Sequence, residues 1–169
     1  MSSKEANKLS EAALYEAALR YLDRQDGSVE QVRRSLKRRV VRYGEETARD
    51  EALVAVERVL ERLVEARLLD DQRFAVGFAE GQRRRGASTL FLRQKLRTRG
   101  LSQAHIDHAV SLTEGDDQHN ELASALIYAQ KRRLVQKYDL NDPLQRNKAL
   151  STLARRGFSF DVARRALGL

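Results

Sequence analysis

Arg93-Gln94-Lys95-Leu96-Arg97-Thr98-Arg99-Gly100-Leu101-Ser102 and Leu150-Ser151-Thr152-Leu153-Ala154-Arg155-Arg156-Gly157-Phe158-Ser159 are two copies of one pattern. Each has a leucine, then Arg-Gly beginning three residues on, then an apolar residue and a serine. Glycine tolerates the left-handed conformation that ends a helix, and serine caps the start of the next. The following segments carry Ile106, Ala109 and Val110 in one copy and Ala163, Ala166 and Leu167 in the other, spaced as one helical face. A third copy, Arg33 to Val41, keeps Leu36 and Arg39 but has Val40 at the glycine position.

Working outward, each copy is the middle of a larger unit. Ser28 and Gln31 form a capping box ahead of Val29, Val32, Leu36 and Val40. Ser88 opens the segment with Leu92 and Leu96, and Asp142-Pro143 opens the third, with Gln145 completing its box. A further helix precedes each: Leu14, Ala18, Tyr21 and Leu22; Phe74, Ala75, Phe78 and Ala79, closed by Gly86; and Leu122, Ala125, Leu126 and Ala129. With one proline in the chain and no set of strand-like runs, the expected fold is all-α, an elongated tandem array of three three-helix repeats. The boundaries read as a flexible N-terminus at 1–10 and repeats at 11–69, 70–115 and 116–169. The first repeat has a longer third helix, about Ala48 to Ala66, after the charged stretch Gly44-Glu45-Glu46-Thr47, and Gly115-Asp116-Asp117 marks a short break.

Composition supports thin repeats. Apolar residues make up 41% and charged residues 33%, with five Phe, five Tyr and no Trp, too little aromatic mass for one thick core. The absence of cysteine removes disulfides and thiolate chemistry. Met1 to Ser10 lacks a signal-peptide core, and no apolar run approaches the roughly 20 residues that span a bilayer. The expectation is a cytoplasmic monomer without membrane contact.

Enzymatic motifs are missing: there is no Gly-rich phosphate loop, Gly-x-Ser-x-Gly turn or His-Glu-x-x-His. His105 and His108 lie three apart on a helix, but no third ligand is marked, so they read as solvated histidines. Asp70 and Asp71 read as a helix cap and a first-turn charge, not a catalytic carboxylate pair.

Charge is more informative. The net charge is +8, and the cations cluster in corresponding segments: Arg33, Arg34, Lys37 and Arg38 in the first repeat; Arg83, Arg84, Arg85, Arg93, Lys95, Arg97 and Arg99 in the second; Lys131, Arg132, Arg133, Arg155 and Arg156 in the third. No acid interrupts Val32 to Arg42 or Gly81 to Gly100, whereas Glu45 to Asp71 is acidic. Each cation alone is most simply a solvated side chain whose stem covers apolar surface. Their recurrence in stacked repeats makes basic faces suited to a polyanionic or acidic partner.

The residues also match a known family. Leu68-Leu69-Asp70-Asp71-Gln72-Arg73-Phe74-Ala75 resembles the signature of the RecX regulators, in which one unit ends in Leu-x-Asp-Asp and the next begins with Phe-Ala. Gly86, Leu92, Leu96, Arg99-Gly100-Leu101 and Ile106 continue the likeness, and Arg155-Arg156-Gly157-Phe158-Ser159-Phe160 resembles the C-terminal unit. The resemblance runs from about Leu14 to Leu167; Val40 and the stretch around Glu45 depart from it. It implies a modular helical protein without cofactor. Such a protein binds the RecA recombinase filament, lies in its groove across adjacent protomers, and restrains its ATPase, strand-exchange and co-protease activities, with single- and double-stranded DNA as further partners. The competing reading is a DNA-binding protein acting without RecA, since Leu92–Val110 and Ala149–Leu167 have helix-turn-helix spacing. Against it, the second helices offer few base-reading side chains.

Overall fold

Caps start the helices where the sequence marks them. The structure is a computed structural model that describes residues 9–44, 48–113 and 117–169, with only the backbone of 117–120. Residues 1–8 of the expected flexible terminus, Glu45-Glu46-Thr47 and the Gly115-Asp116 break lie outside the described residues. The first repeat comprises α1 (Glu11–Arg24), α2 (Val29–Tyr43) and α3 (Arg49–Glu65). The second comprises α4 (Asp71–Arg83), α5 (Thr89–Thr98) and α6 (Gln103–Thr113). The third comprises α7 (Asp117–Lys131), a one-turn α8 (Leu134–Lys137), α9 (Pro143–Ala154) and α10 (Phe160–Leu167). The fold is all-α.

Side-chain oxygens accept from the third backbone amide at six of the described starts: Ser10 from Ala13, Ser28 from Gln31, Asp70 from Arg73, Ser88 from Phe91, Ser102 from His105 and Ser159 from Val162. Gln31 returns the bond to the Ser28 amide and completes that capping box. The box expected at Asp142 is different. Asp142 accepts from Leu144, but Gln145 reaches back to accept from the Asp139 amide, bracing the preceding loop, while its own amide donates to Asp142.

The described chain divides into two compact units. One runs to Phe74 and includes Arg99–Leu101; the other holds Ala75–Thr98 and Ser102–Leu169. In the first, Leu14 and Ala18 of α1, Val32, Leu36 and Val40 of α2, and Val56, Val59, Leu60 and Leu63 of α3 form the core. Each fully buried leucine or valine there contributes about 1.5–3 kcal/mol. Val40 is among them, so α2 stays helical to Tyr43 where the later copies turn at glycine.

In the second unit, Ala125, Ala129, Leu134, Leu150, Leu153, Phe158, Ala163 and Leu167 close the third repeat. Leu134 explains the unexpected α8: it is buried, and left-handed Arg133 turns the chain to bring it in. Leu126, expected on the packed face, is exposed; the alanines at 125 and 129 and the neighbouring Leu122 make that contact instead. The second repeat buries little mass, chiefly Ala75, Ala79, Leu92, Leu96, Ile106, Ala109 and Val110.

Polar joints supplement these thin cores. The buried Ser28 hydroxyl donates to the Arg99 carbonyl at 2.5 Å, and the buried Ser88 hydroxyl donates to the Arg156 carbonyl at 2.7 Å. Each joint has a second part, at the first amide of the middle helix. Val29 donates to the Asp71 carboxylate at 2.8 Å, and Thr89 to the Glu121 carboxylate at 2.6 Å. Asp71 is therefore more than a first-turn charge on α4, because it also caps α2. The Arg-Gly turns need glycine for φ and for space. Gly100 has φ +79°, and a Cβ there would lie 2.4 Å from Glu30 Cβ; Gly157 has φ +91°, and its Cβ would lie 2.7 Å from Ser88 Oγ.

Candidate functional site

Helical spacing brings Arg34, Lys37, Arg38, Val41 and Arg42 onto one face of α2, where they line an open groove of about 400 Å³. Two carboxylates partly neutralise this face. Glu30 accepts from Arg33 and from Arg34, each at 2.8 Å, and Glu57 on α3 accepts from Arg33 at 3.0 Å and pairs with Lys37 at 3.5 Å. The hydrogen bond from Arg33, aided by that from Arg34, holds the Glu30 carboxyl below its ordinary pKa. Arg33 is raised in turn, foremost by Glu30. Arg33 thus ties α2 to α3, while Arg38 and Arg42 stand exposed. Arg42 and Arg39 flank the Tyr43 ring, at 5.5 and 5.3 Å from its centroid.

The basic run of the second repeat separates into different roles. Arg83 is buried and donates to the Ala87 carbonyl, to Glu121 and to Thr89 Oγ1, at 3.0, 3.0 and 2.6 Å. Its neighbours Arg84 and Arg85 are exposed. On α5, Arg93 pairs with Asp107 of α6, whose carboxyl is held below its ordinary pKa by Arg93 first and Gln103 second. Arg97 reaches Gln103 at 3.4 Å, and the Lys95 ammonium lies 5.3 Å from the Phe91 ring centre. A segment without acids in sequence therefore meets two, Asp107 and Glu121, in space. Arg99 is half-buried beside the first joint, and desolvation lowers its pKa.

In the third repeat, Lys131 donates to the Arg84 carbonyl at 2.9 Å and Arg133 occupies the turn into α8. Arg132, Arg155 and Arg156 converge on one cavity of about 470 Å³. Lys137 joins them there, as do Phe91, Tyr128 and Tyr138. The three rings lie outside the site expected from sequence, which rests on cations alone. The available signal was cation–aromatic spacing: Arg132 stands four residues from Tyr128, and Lys137 adjoins Tyr138.

His105 is half-buried and His108 exposed. Among the described residues, no group of three or more His, Cys, Asp or Glu side chains is placed to hold a metal ion, and no helix is long and apolar enough to cross a membrane.

Comparison with known proteins fits this geometry. Residues 70–110 match the family model for the RecX second three-helix domain, and residues 120–167 that for the RecX third three-helix domain. The regulatory protein RecX of Myxococcus xanthus is 35% identical over 97% of this chain and 89% of its own length. That of Halorhodospira halophila is 34% identical over 96% of this chain and 90% of its own. A crystal structure of regulatory protein RecX superposes with a TM-score of 0.71 at 24% identity, covering 94% of this chain and 73% of that one, a likeness of fold. Near-complete alignment with relatives over 30% identical, together with two matching domain models, establishes that the chain belongs to the RecX family of regulatory proteins.

Proposed function

We propose that this protein binds the RecA–DNA filament in the cytoplasm and restrains its ATPase, strand-exchange and co-protease activities during recombination and repair. The observation that carries this reading is the relationship to RecX regulatory proteins over 96–97% of this chain. The surface chemistry supports it. Exposed cations remain on every repeat after internal pairing: Arg38 and Arg42, then Arg84 and Arg85, then Arg132 and Arg155. Such residues suit acidic protein surfaces or phosphates, and binding through several repeats multiplies individually weak contacts. The protein works as a non-enzymatic monomer through these surfaces.

The test is RecA ATPase on single-stranded DNA. Inhibition is expected well below one copy per RecA protomer, because a binder spanning neighbouring protomers or blocking an end affects several sites at once. An unchanged rate at stoichiometric excess of folded protein, with filaments confirmed present, would overturn the proposal.

A further inference from the structure

The cavity in the second compact unit gathers aromatic rings and cations without a carboxylate. Phe91, Tyr128 and Tyr138 line it, each half-buried, so each ring keeps part of its surface accessible. Around them stand Arg132, Lys137, Arg155 and Arg156, and no carboxylate belongs to the lining. The cations sit against the rings. The Arg156 guanidinium carbon is 3.5 Å from the Phe91 centroid and 5.2 Å from that of Tyr128; Arg132 is 5.7 Å from Tyr128, and Lys137 is 5.3 Å from Tyr138.

Elsewhere in this unit, cations turned inward are neutralised, Arg83 by Glu121 and Arg93 by Asp107. Here like charges are gathered instead. Burial lowers the pKa of Arg156; Tyr128 offsets part of that, and the charge of Arg132 adds a smaller lowering. Arg156 Nε is buried and has no acceptor among the described residues. The Ser88 joint fixes the backbone from which this side chain projects. An anion would relieve this repulsion. The three rings argue for one with a flat face, because sequence-tolerant recognition of single strands combines cationic phosphate contacts with aromatic stacking. About 470 Å³ lies within the range of small-ligand pockets.

We infer that this cavity is a single-nucleotide site for single-stranded nucleic acid, with a base against the part of the Tyr128 and Tyr138 rings left accessible and its phosphate among Arg132, Lys137 and Arg155. The site deepens the filament reading by naming one nucleic-acid contact, and it functions without RecA. An acidic peptide is the competing occupant. It would use the cations but not the accessible ring surface.

The experiment therefore omits RecA. The full chain is titrated with a fluorescein-labelled oligodeoxythymidylate by anisotropy and with the unlabelled strand by tyrosine emission, which no tryptophan masks. Tyr138→Leu should weaken binding by roughly 5- to 150-fold, the range for losing one base–aromatic stack, while Tyr138→Phe should restore it. Arg155→Gln with Lys137→Gln should flatten the salt dependence. If Tyr138→Leu and the double charge variant remain helical by circular dichroism and bind the strand as the parent does, the inference is overturned. It is equally overturned if oligoglutamate of matched charge binds as tightly as the strand. Either failure leaves filament inhibition to be judged separately by the RecA ATPase assay.

Discussion

Replacing Ser88 with aspartate tests the joint seen between successive repeats. At an ordinary helix start this exchange is nearly neutral, because aspartate caps as well as serine. At Ser88 the hydroxyl has two tasks. It accepts from the Phe91 amide at 3.1 Å and donates to the Arg156 carbonyl at 2.7 Å. An ionised carboxylate keeps the first bond and cannot make the second. The lost hydrogen bond costs about 1 kcal/mol. Facing a carboxylate oxygen toward a carbonyl at a position of 0% exposure adds about 1–3 kcal/mol. The helix N-terminus returns roughly 0.5–1 kcal/mol. A net loss of about 1–3.5 kcal/mol follows, which lowers the urea midpoint by about 0.5–1.75 M at an ordinary slope of about 2 kcal/mol per M.

The internal control is Ser159→Asp. Ser159 caps Val162 with an equivalent bond but is exposed, so its exchange should stay within about 0.5 kcal/mol. The loss at Ser88 should also shrink in acid. The buried carboxyl has a raised pKa, and once protonated it can donate to Arg156. The deficit therefore holds above that raised pKa and recedes below it. Equal urea midpoints for the two variants at neutral pH would refute the joint as described.

Three further outcomes are expected. Arg83→Met should cost about 2–4 kcal/mol in urea unfolding, as expected for breaking a largely buried ion pair, whereas Arg84→Met should cost under about 0.5 kcal/mol. Glu30, held below its ordinary pKa chiefly by Arg33, contributes stability that is full above the unfolded carboxyl pKa and lost as pH falls through the folded one; Glu30→Gln should therefore destabilise at pH 7, with the gap from the parent closing on acid titration below about pH 4. Arg38→Glu with Arg42→Glu should weaken filament binding about tenfold or more in a salt-dependent way, while Glu61→Lys with Glu65→Lys, on the exposed face of α3, should not.

Local rules were legible in the sequence because they act over a few residues. Ser28, Ser88, Ser102 and Ser159 cap their helices as spacing suggests, and Gly100 and Gly157 take the left-handed turns. What depends on distant partners was not legible. Asp70 and Asp71 look alike in sequence, yet Asp70 caps its own helix through Arg73 while Asp71 caps α2 through Val29. Arg83, Arg84 and Arg85 form one basic run, but α4 turns only Arg83 inward, toward an acid 38 residues away. The gap between acids along the chain overstated the free charge on α5, because Asp107 returns from α6 to Arg93. The aromatic cavity was missed for the same reason. Phe91, Tyr128 and Tyr138 come from α5, α7 and the turn after α8, and only folding assembles them.

The joint also explains how thin repeats can present precisely placed cations. Alanines at 75, 79, 125 and 129 let helices approach closely but contribute little apolar area. Fixed polar bonds supply the missing specificity: a serine that donates and caps, and a carboxylate on the first helical amide. Each serine acts on the backbone of a named arginine, Arg99 or Arg156, so the bond that orders the repeat also fixes where that side chain starts. In the third repeat Pro143 replaces the residue whose amide would donate to such a carboxylate, and Asp142 caps Leu144 itself. That helix meets its donors from within, and its surface near Arg155 and Arg156 is left to the cavity. Loosening Ser88 should therefore disturb the cavity before it disturbs the caps at Ser102 or Ser159.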